Sequence, residues 1–259
     1  MNRALLTAVA CLVAGSASSA YADTVLYSTG FENPPFTPGP VAGQDGWAAY
    51  GNSSASQIED TVADSGSQAL AVIPALGAGQ TGAYYGLTTS DSLIEITADL
   101  MIDSSTNQSE WQFAGMGPGL FPFVGGFDVT STGQIDLMTA GKPDVGTLTY
   151  NTWNLVDLLF NFTTQTYNLS INGTVLASNA AFCGDNTVCA GAPVSSFGNF
   201  IFDAFPASSA NDIGFIDNLT ISTPSGSTTP EPGSLMLLGS GLLLLAARRW
   251  RSVFARNNV

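Results

Sequence analysis

The sequence predicts an all-β fold, a two-sheet antiparallel β-sandwich, and three features carry that prediction. From Leu93 to Asp103, Ile94, Ile96, Ala98, Leu100 and Ile102 share one parity, while Glu95, Thr97, Asp99 and Asp103 share the other; Met101 is the exception. Strict alternation of this kind puts one face on a core and the other in water. Second, about a dozen short segments rich in β-branched and aromatic residues recur between Gly-rich turns, with no amphipathic helix pattern of useful length. Third, Asn172-Gly173 separates two apolar runs, which is the sequence signature of a tight hairpin.

In chain order, Val25-Leu26-Tyr27 begins a first strand ending near Phe31-Glu32. Residues 33–40 hold four prolines and form a loop. Gly46-Trp47 opens a second strand, and residues 58–62 are a third. Asp64-Ser65-Gly66-Ser67 is a turn by residue type. Residues 68–73 are an apolar strand, and 93–103 the alternating one. Residues 111–116, 126–129 and 134–139 follow, with Lys142-Pro143-Asp144 as a turn. Residues 152–162 form a long strand centred on Trp153, Val156, Leu158 and Phe160. Residues 165–171 pair with 175–177 through the hairpin turn, and 197–205 and 213–221 complete the set.

Composition excludes several function classes. There is no histidine, which removes Ser-His-Asp and Cys-His catalysis and His-ligated zinc. Between Asp23 and Thr229 there are 19 acidic residues and one basic residue, Lys142, a balance of 1 − 19 = −18. Such a charge repels nucleic acid and anionic membranes and suits divalent cations or simple solubility. Cys183 and Cys189 are the only cysteines in this stretch. In an oxidising compartment they are expected to pair across the loop between them, worth roughly 2 kcal/mol on chain-entropy grounds. The rival reading, a redox or metal pair, has against it that the spacing is not C-x-x-C and that no other soft ligand exists.

Both ends read as addresses. Arg3, an apolar run from Ala4 to Ala14 and the triplet Ala20-Tyr21-Ala22 form a secretory signal peptide over 1–22, with cleavage after Ala22. Cys11 lies inside the apolar run, where a lipoprotein cysteine should instead end it. At the other end, Pro230-Glu231-Pro232 precedes an uncharged run from Leu235 to Ala247 and then Arg248, Arg249, Trp250 and Arg251. A helix over 233–247 spans about 22 Å at 1.5 Å per residue, short of the roughly 30 Å hydrocarbon core unless Trp250 and the arginines extend it at the interface. This order resembles the PEP-CTERM sorting signal of Gram-negative bacteria. The resemblance implies export, an inner-membrane intermediate, processing near Pro230-Glu231-Pro232 by an exosortase, and association with exopolysaccharide and biofilm at the cell surface or in the extracellular matrix. The tail to Val259 is longer than that pattern. The expected organisation is thus signal peptide 1–22, sandwich 23–222, a Ser/Thr/Pro/Gly linker 223–229, and the sorting signal with its short transmembrane helix and basic tail over 230–259.

Within the sandwich, Phe31-Glu32, Gly46-Trp47, Ser65 to Leu70 and Ile216-Asp217-Asn218-Leu219 resemble carbohydrate-binding jelly rolls. Trp153 and the run Tyr167 to Gly173 resemble concanavalin A-like or laminin-G-like domains. Asp217 shares parity with Ile213, Phe215, Leu219 and Ile221, so its carboxylate is expected on the core side, where it needs a partner. The jelly-roll resemblance implies a structural Ca²⁺ held by Glu32 and Asp217, oxygen ligands of the kind calcium takes. The alternatives are that Asp217 caps backbone N–H groups at a bulge, or that the pattern shifts there. Tyr50, Tyr84, Tyr85 and Trp111 are the candidate sugar-stacking side chains, although any of them could be core; the ligand itself is unknown from sequence. No Glu-x-Asp-x-Glu cluster is present, and Glu95 and Asp99 share a solvent face. The reading is therefore a non-enzymatic saccharide-binding or structural protein, with a secreted glycoside hydrolase or lyase on the same fold as the alternative.

Overall fold

A computed structural model describes residues 23–51, 56–74, 79–103, 109–120, 122–184, 193–205 and 212–225. The chain divides into two units, Thr24–Thr223 and a second made of 1–23 with 224–259; the first holds every strand named below. Among the described residues its strands are β1 (Thr24–Thr29), β2 (Gly39–Pro40), β3 (Trp47–Tyr50), β4 (Ser56–Glu59), β5 (Ala69–Val72), β6 (Thr81–Thr89), β7 (Leu93–Asp103), β8 (Glu110–Met116), β9 (Phe123–Val129), β10 (Gln134–Leu137), β11 (Asp144–Thr147), β12 (Asn154–Asn161), β13 (Thr166–Ile171), β14 (Thr174–Ala181), β15 (Phe197–Phe205) and β16 (Ile213–Thr223).

All these pairings are antiparallel and form two sheets. One runs β14-β13-β12-β7-β16-β5-β4-β2, with β1 also on β16; the other runs β11-β10-β9-β8-β15-β6-β3. The fold is the predicted two-sheet sandwich. In β7 every second residue is buried, from Ile94 through Ile102, as the alternation requires. The hairpin turn places Asn172 at φ 51° and Gly173 at φ 74°. Two successive left-handed residues are what a type I′ turn needs.

Strands β6 and β11 carry no clear signal in the sequence. Thr81–Thr89 reads TGAYYGLTT and Asp144–Thr147 reads DVGT, so neither has enough apolar alternation to stand out. Trp153 lies just before β12 rather than at its centre, and meets Phe215 edge-on with ring centroids 6.5 Å apart. The first strand stops at Thr29, and Phe31 turns into the core at φ 59°.

The core between the sheets is aromatic. Phe113, Phe127, Phe200 and Phe202 of the seven-stranded sheet pack with Phe160, Tyr167, Ile96 and Leu158 of the other. Gly115 and Gly125 make that approach possible. A Cβ on Gly115 would lie 2.8 Å from the Phe160 ring, and one on Gly125 would lie 2.6 Å from Tyr167.

Candidate functional site

Glu32 and Asp217 do come to one place, and a turn lies between them. Asp217 Oδ2 accepts N–H bonds from Asp64 and Ser65, both 3.0 Å, and Oδ1 accepts from Asn218 N at 2.7 Å. Glu32 Oε1 accepts from Ser67 N and Gln68 N at 2.7 and 2.9 Å, and Oε2 from Ser67 Oγ at 2.7 Å. The two carboxylates thus grip the predicted 64–67 turn from both sides. Burial pushes the Asp217 carboxyl up, while its three N–H donors pull it back. The Ser67 amide and hydroxyl hold Glu32 below its ordinary value.

The expected direction of Asp217 needs correction. Ile216 faces Leu100 and Asp217 faces Asp99, but the next pairs are Thr220 with Thr97 and Ile221 with Ile96. One extra residue has entered β16, with Asn218 at φ 49°. Parity flips at this bulge, so Ile216, Leu219 and Ile221 face the core and Asp217 faces outward beneath the turn. Calcium takes six to eight oxygen ligands. The groups aimed at this pair are instead hydrogens on N and O, so the geometry fits an amide clamp better than a cation. Asn218 Nδ2 also donates to Asp99 Oδ2 at 2.9 Å and Asp64 Oδ2 at 3.3 Å. Burial and the nearby Asp99 carboxylate raise Asp64.

The second candidate region is the outer face of the seven-stranded sheet. An antiparallel sheet of a two-layer sandwich normally leaves that face to water, yet β8, β9 and β15 are buried on both faces through their centres. Strand register lines up one polar row across it. Asp136 of β10 faces Asp128 of β9, which faces Gln112 of β8, then Asp203 of β15, then Gly82 of β6, then Tyr50 of β3. The neighbouring level is apolar: Ala114, Ile201, Met116, Phe123, Met138 and Leu120 cluster with Tyr50 and Tyr84.

The row is joined by side-chain bonds. Lys142 Nζ donates to Asp128 Oδ2 at 2.8 Å, and Gln112 Nε2 to Asp128 Oδ1 at 3.2 Å. Gln80 Nε2 reaches Gln112 Oε1 at 3.5 Å and donates to Asp203 Oδ2. Asp203 is 0% exposed, and its Oδ1 has no hydrogen-bond partner among the described residues. Burial drives its carboxyl well above the ordinary range, with the Asp128 charge adding to the rise. Burial and Asp128 also raise Glu110. The hydrogen bond to Asp128 raises Lys142, and burial beside Asp203 raises Tyr50.

Of the four aromatic candidates, the structure separates two from two. Trp111 is buried in the core, stacked on Phe202 at 5.5 Å, with Nε1 donating to the buried Asp212. Tyr85 stacks on Tyr27 at 3.8 Å, beside Trp47. Tyr50 and Tyr84 lie on the outer face, half-buried. Sequence reasoning misses the members of the polar row. Gln112, Asp128 and Asp203 are lone polar residues in apolar runs, and only strand register shows that they align. Ala20, Ala22, Cys189, Pro230, Glu231, Pro232, Arg248, Arg249 and Arg251 lie outside the described residues; Cys183 is buried.

Comparison with known proteins adds two things. Residues 228–251 match the PEP-CTERM protein-sorting motif. That match marks a C-terminal sorting signal of an exported protein and implies an exosortase as its processing partner. No curated protein matches the chain. Among solved structures, a sialidase is similar at TM-score 0.54 and 10% identity over 69% of this chain, which spans 17% of that sialidase's length. The conserved carbohydrate esterase vb_24B_21 of the Shiga toxin-encoding bacteriophage phi24B is similar at TM-score 0.54 and 14% identity, over 78% of this chain and 100% of the other. The cellulose induced protein Cip1 is similar at TM-score 0.50 and 17% identity, over 75% and 96%. At these identities the likeness is one of fold.

Proposed function

We infer that this is an exported, exosortase-processed surface or matrix protein whose sandwich binds saccharide on the outer face of the seven-stranded sheet, without catalysis. The observation that carries the reading is the pairing of half-buried Tyr50 and Tyr84 with the polar row beside them. Ring faces take the apolar face of a sugar, and a few fixed polar groups beside them orient its hydroxyls. The jelly-roll and concanavalin A-like resemblances support the same reading, and a place in exopolysaccharide or biofilm is part of the proposal. The passage through the inner membrane and the Cys183–Cys189 disulfide belong to this proposal, as the export route makes both reasonable.

The hydrolase or lyase alternative has one observation behind it. Asp128 and Asp203 lie two strands apart, about 9.6 Å at 4.8 Å per strand, near the upper end of the spacing in inverting glycosidases. Against it, Asp128 is tied to Lys142 and Gln112 rather than free to act on a water or a glycosidic oxygen. The test is a glycan array probed with the exported chain, with Tyr84→Ala and Tyr50→Ala alongside. Binding to a defined polysaccharide that weakens about tenfold or more in either variant supports the reading. Release of reducing ends from the bound glycan would replace it with the enzyme, and no binding to any glycan would leave a purely structural role.

A further inference from the structure

Asp203 Oδ1 is a buried polar atom without a partner among the described residues, beside Gln80, Gln112, Asp128 and Lys142, which are joined to one another. The position is tightly enclosed. A Cβ on Gly82, the residue facing it, would lie 2.2 Å from the Asp203 Cβ, so only glycine fits opposite. Across that bare backbone stands Tyr50. A polar atom left unpaired in such a place is costly, and it points to a group that arrives from outside.

We propose that Asp203 Oδ1 is the specificity-determining contact of this face, meeting an oxygen of an uncharged saccharide and turning away saccharides that carry carboxylates. The inference rests on the saccharide-binding reading above. Gln80 Nε2 already occupies Oδ2, so Oδ1 is the oxygen left for the acid hydrogen. Burial pushes this carboxyl up and so favours its protonated form, in which Asp203 is a donor seeking an acceptor such as a hydroxyl or ring oxygen. A uronate would bring a second negative charge next to Asp128, into a domain with one basic residue, which is already bound to Asp128. Because Asp203 has no exposed surface, the contact requires that the Gln80 and Tyr50 side chains, both partly exposed, turn aside.

The titratable groups on the same sheet face as Asp203 are Tyr50 on β3, Tyr84 on β6, Glu110 on β8, Asp128 on β9, Asp136 on β10, and Lys142 in the turn before β11. Variants therefore have to isolate Asp203. Isothermal titration of the exported chain with cellohexaose, xylohexaose, laminarihexaose and hexagalacturonate is run from about pH 4.5 to about pH 8.5, across the ordinary carboxylate range and above it. A neutral hexaose should bind at the acid end and weaken at least about tenfold towards the alkaline end. Asp203→Asn, which keeps a donor without a titrating proton, should bind the same hexaose equally at both ends. Gln80→Ala, which removes part of the cover and also the donor that pulls the Asp203 carboxyl down, should keep a pH dependence, displaced to higher pH. Hexagalacturonate should bind at neither end. Neutral binding that ignores both pH and Asp203→Asn, or tighter binding of hexagalacturonate, overturns the role of Asp203 and leaves the saccharide reading standing. No binding of any hexaose by the folded chain at the acid end removes both.

Discussion

At the residue scale, Asp203 links protonation to folding. Its folded carboxyl lies well above the ordinary value, which is about 3.9 in the unfolded chain. The folded chain therefore holds a proton that the unfolded chain has released. Its contribution to stability is full below the unfolded value and is lost as pH climbs through the folded one. Asp203→Asn should raise the melting temperature near neutral pH by about 3 °C or more and flatten its decline with pH; an unchanged pH profile by calorimetry would contradict this. Glu32 behaves oppositely. Its carboxyl is lowered by Ser67 and Gln68, so its contribution is present above the ordinary carboxyl value and lost as pH falls through the folded one. Asp217→Ala leaves three N–H groups without their acceptor. The loss of those bonds should cost about 2 kcal/mol or more, read by denaturant unfolding. Because the clamp uses amide hydrogens, chelator should leave the wild-type melting temperature unchanged. A rise on adding calcium, absent in Asp217→Ala, would restore the cation.

At the element scale, two glycines set the separation of the sheets. Gly125→Ala puts a methyl group 2.6 Å from the buried Tyr167 ring, whose hydroxyl is fixed on the Gly126 carbonyl at 3.0 Å. The ring cannot yield easily, so the variant should lose about 1–3 kcal/mol to overpacking, measured by denaturant unfolding. Gly173→Ala, at a turn with nothing near its Cβ, tests backbone alone. The residue sits at φ 74°. That left-handed conformation costs a non-glycine residue about 1–2 kcal/mol, and the same unfolding measurement should show it. The bulge in β16 is another device at this scale. One extra residue turns Asp217 outward onto the 64–67 turn while keeping Leu219 and Ile221 in the core.

At the scale of the whole molecule, the first and last strands of the sandwich lie side by side. Thr24 faces Thr223 and Val25 faces Ser222. β16 also pairs with β7 and β5, so it is an interior strand of its sheet. The sheet is complete only with the segment just before the sorting motif in place. The acidic balance of this unit is a second global property. Adding salt to about 0.15 M shortens the screening length to about 8 Å and should raise the melting temperature relative to about 10 mM salt. A fall would show that attractive pairs outweigh the repulsion among carboxylates.

Sequence alone determined whatever has a local cause. Alternation along Leu93–Asp103 fixed a half-buried strand, Asn172-Gly173 fixed a hairpin, and the Pro-Glu-Pro, apolar and arginine order fixed the sorting signal, because each is read within a few neighbouring residues. Glu32 and Asp217 were legible as partners, and a bulge at which Asp217 caps backbone N–H groups stood as an alternative, but neither the choice between the two directions nor the joint hold on the 64–67 turn was legible, since a bulge depends on what the neighbouring strands demand. The polar row was beyond reach for the same reason. Gln112, Asp128 and Asp203 are up to 91 positions apart (203 − 112) and become neighbours only through strand register. Tyr84 and Tyr85 are adjacent in the chain, yet one faces outward and the other the core. The tertiary structure decided that, because a pleated strand gives consecutive side chains to opposite faces and only the second sheet says which face is inside.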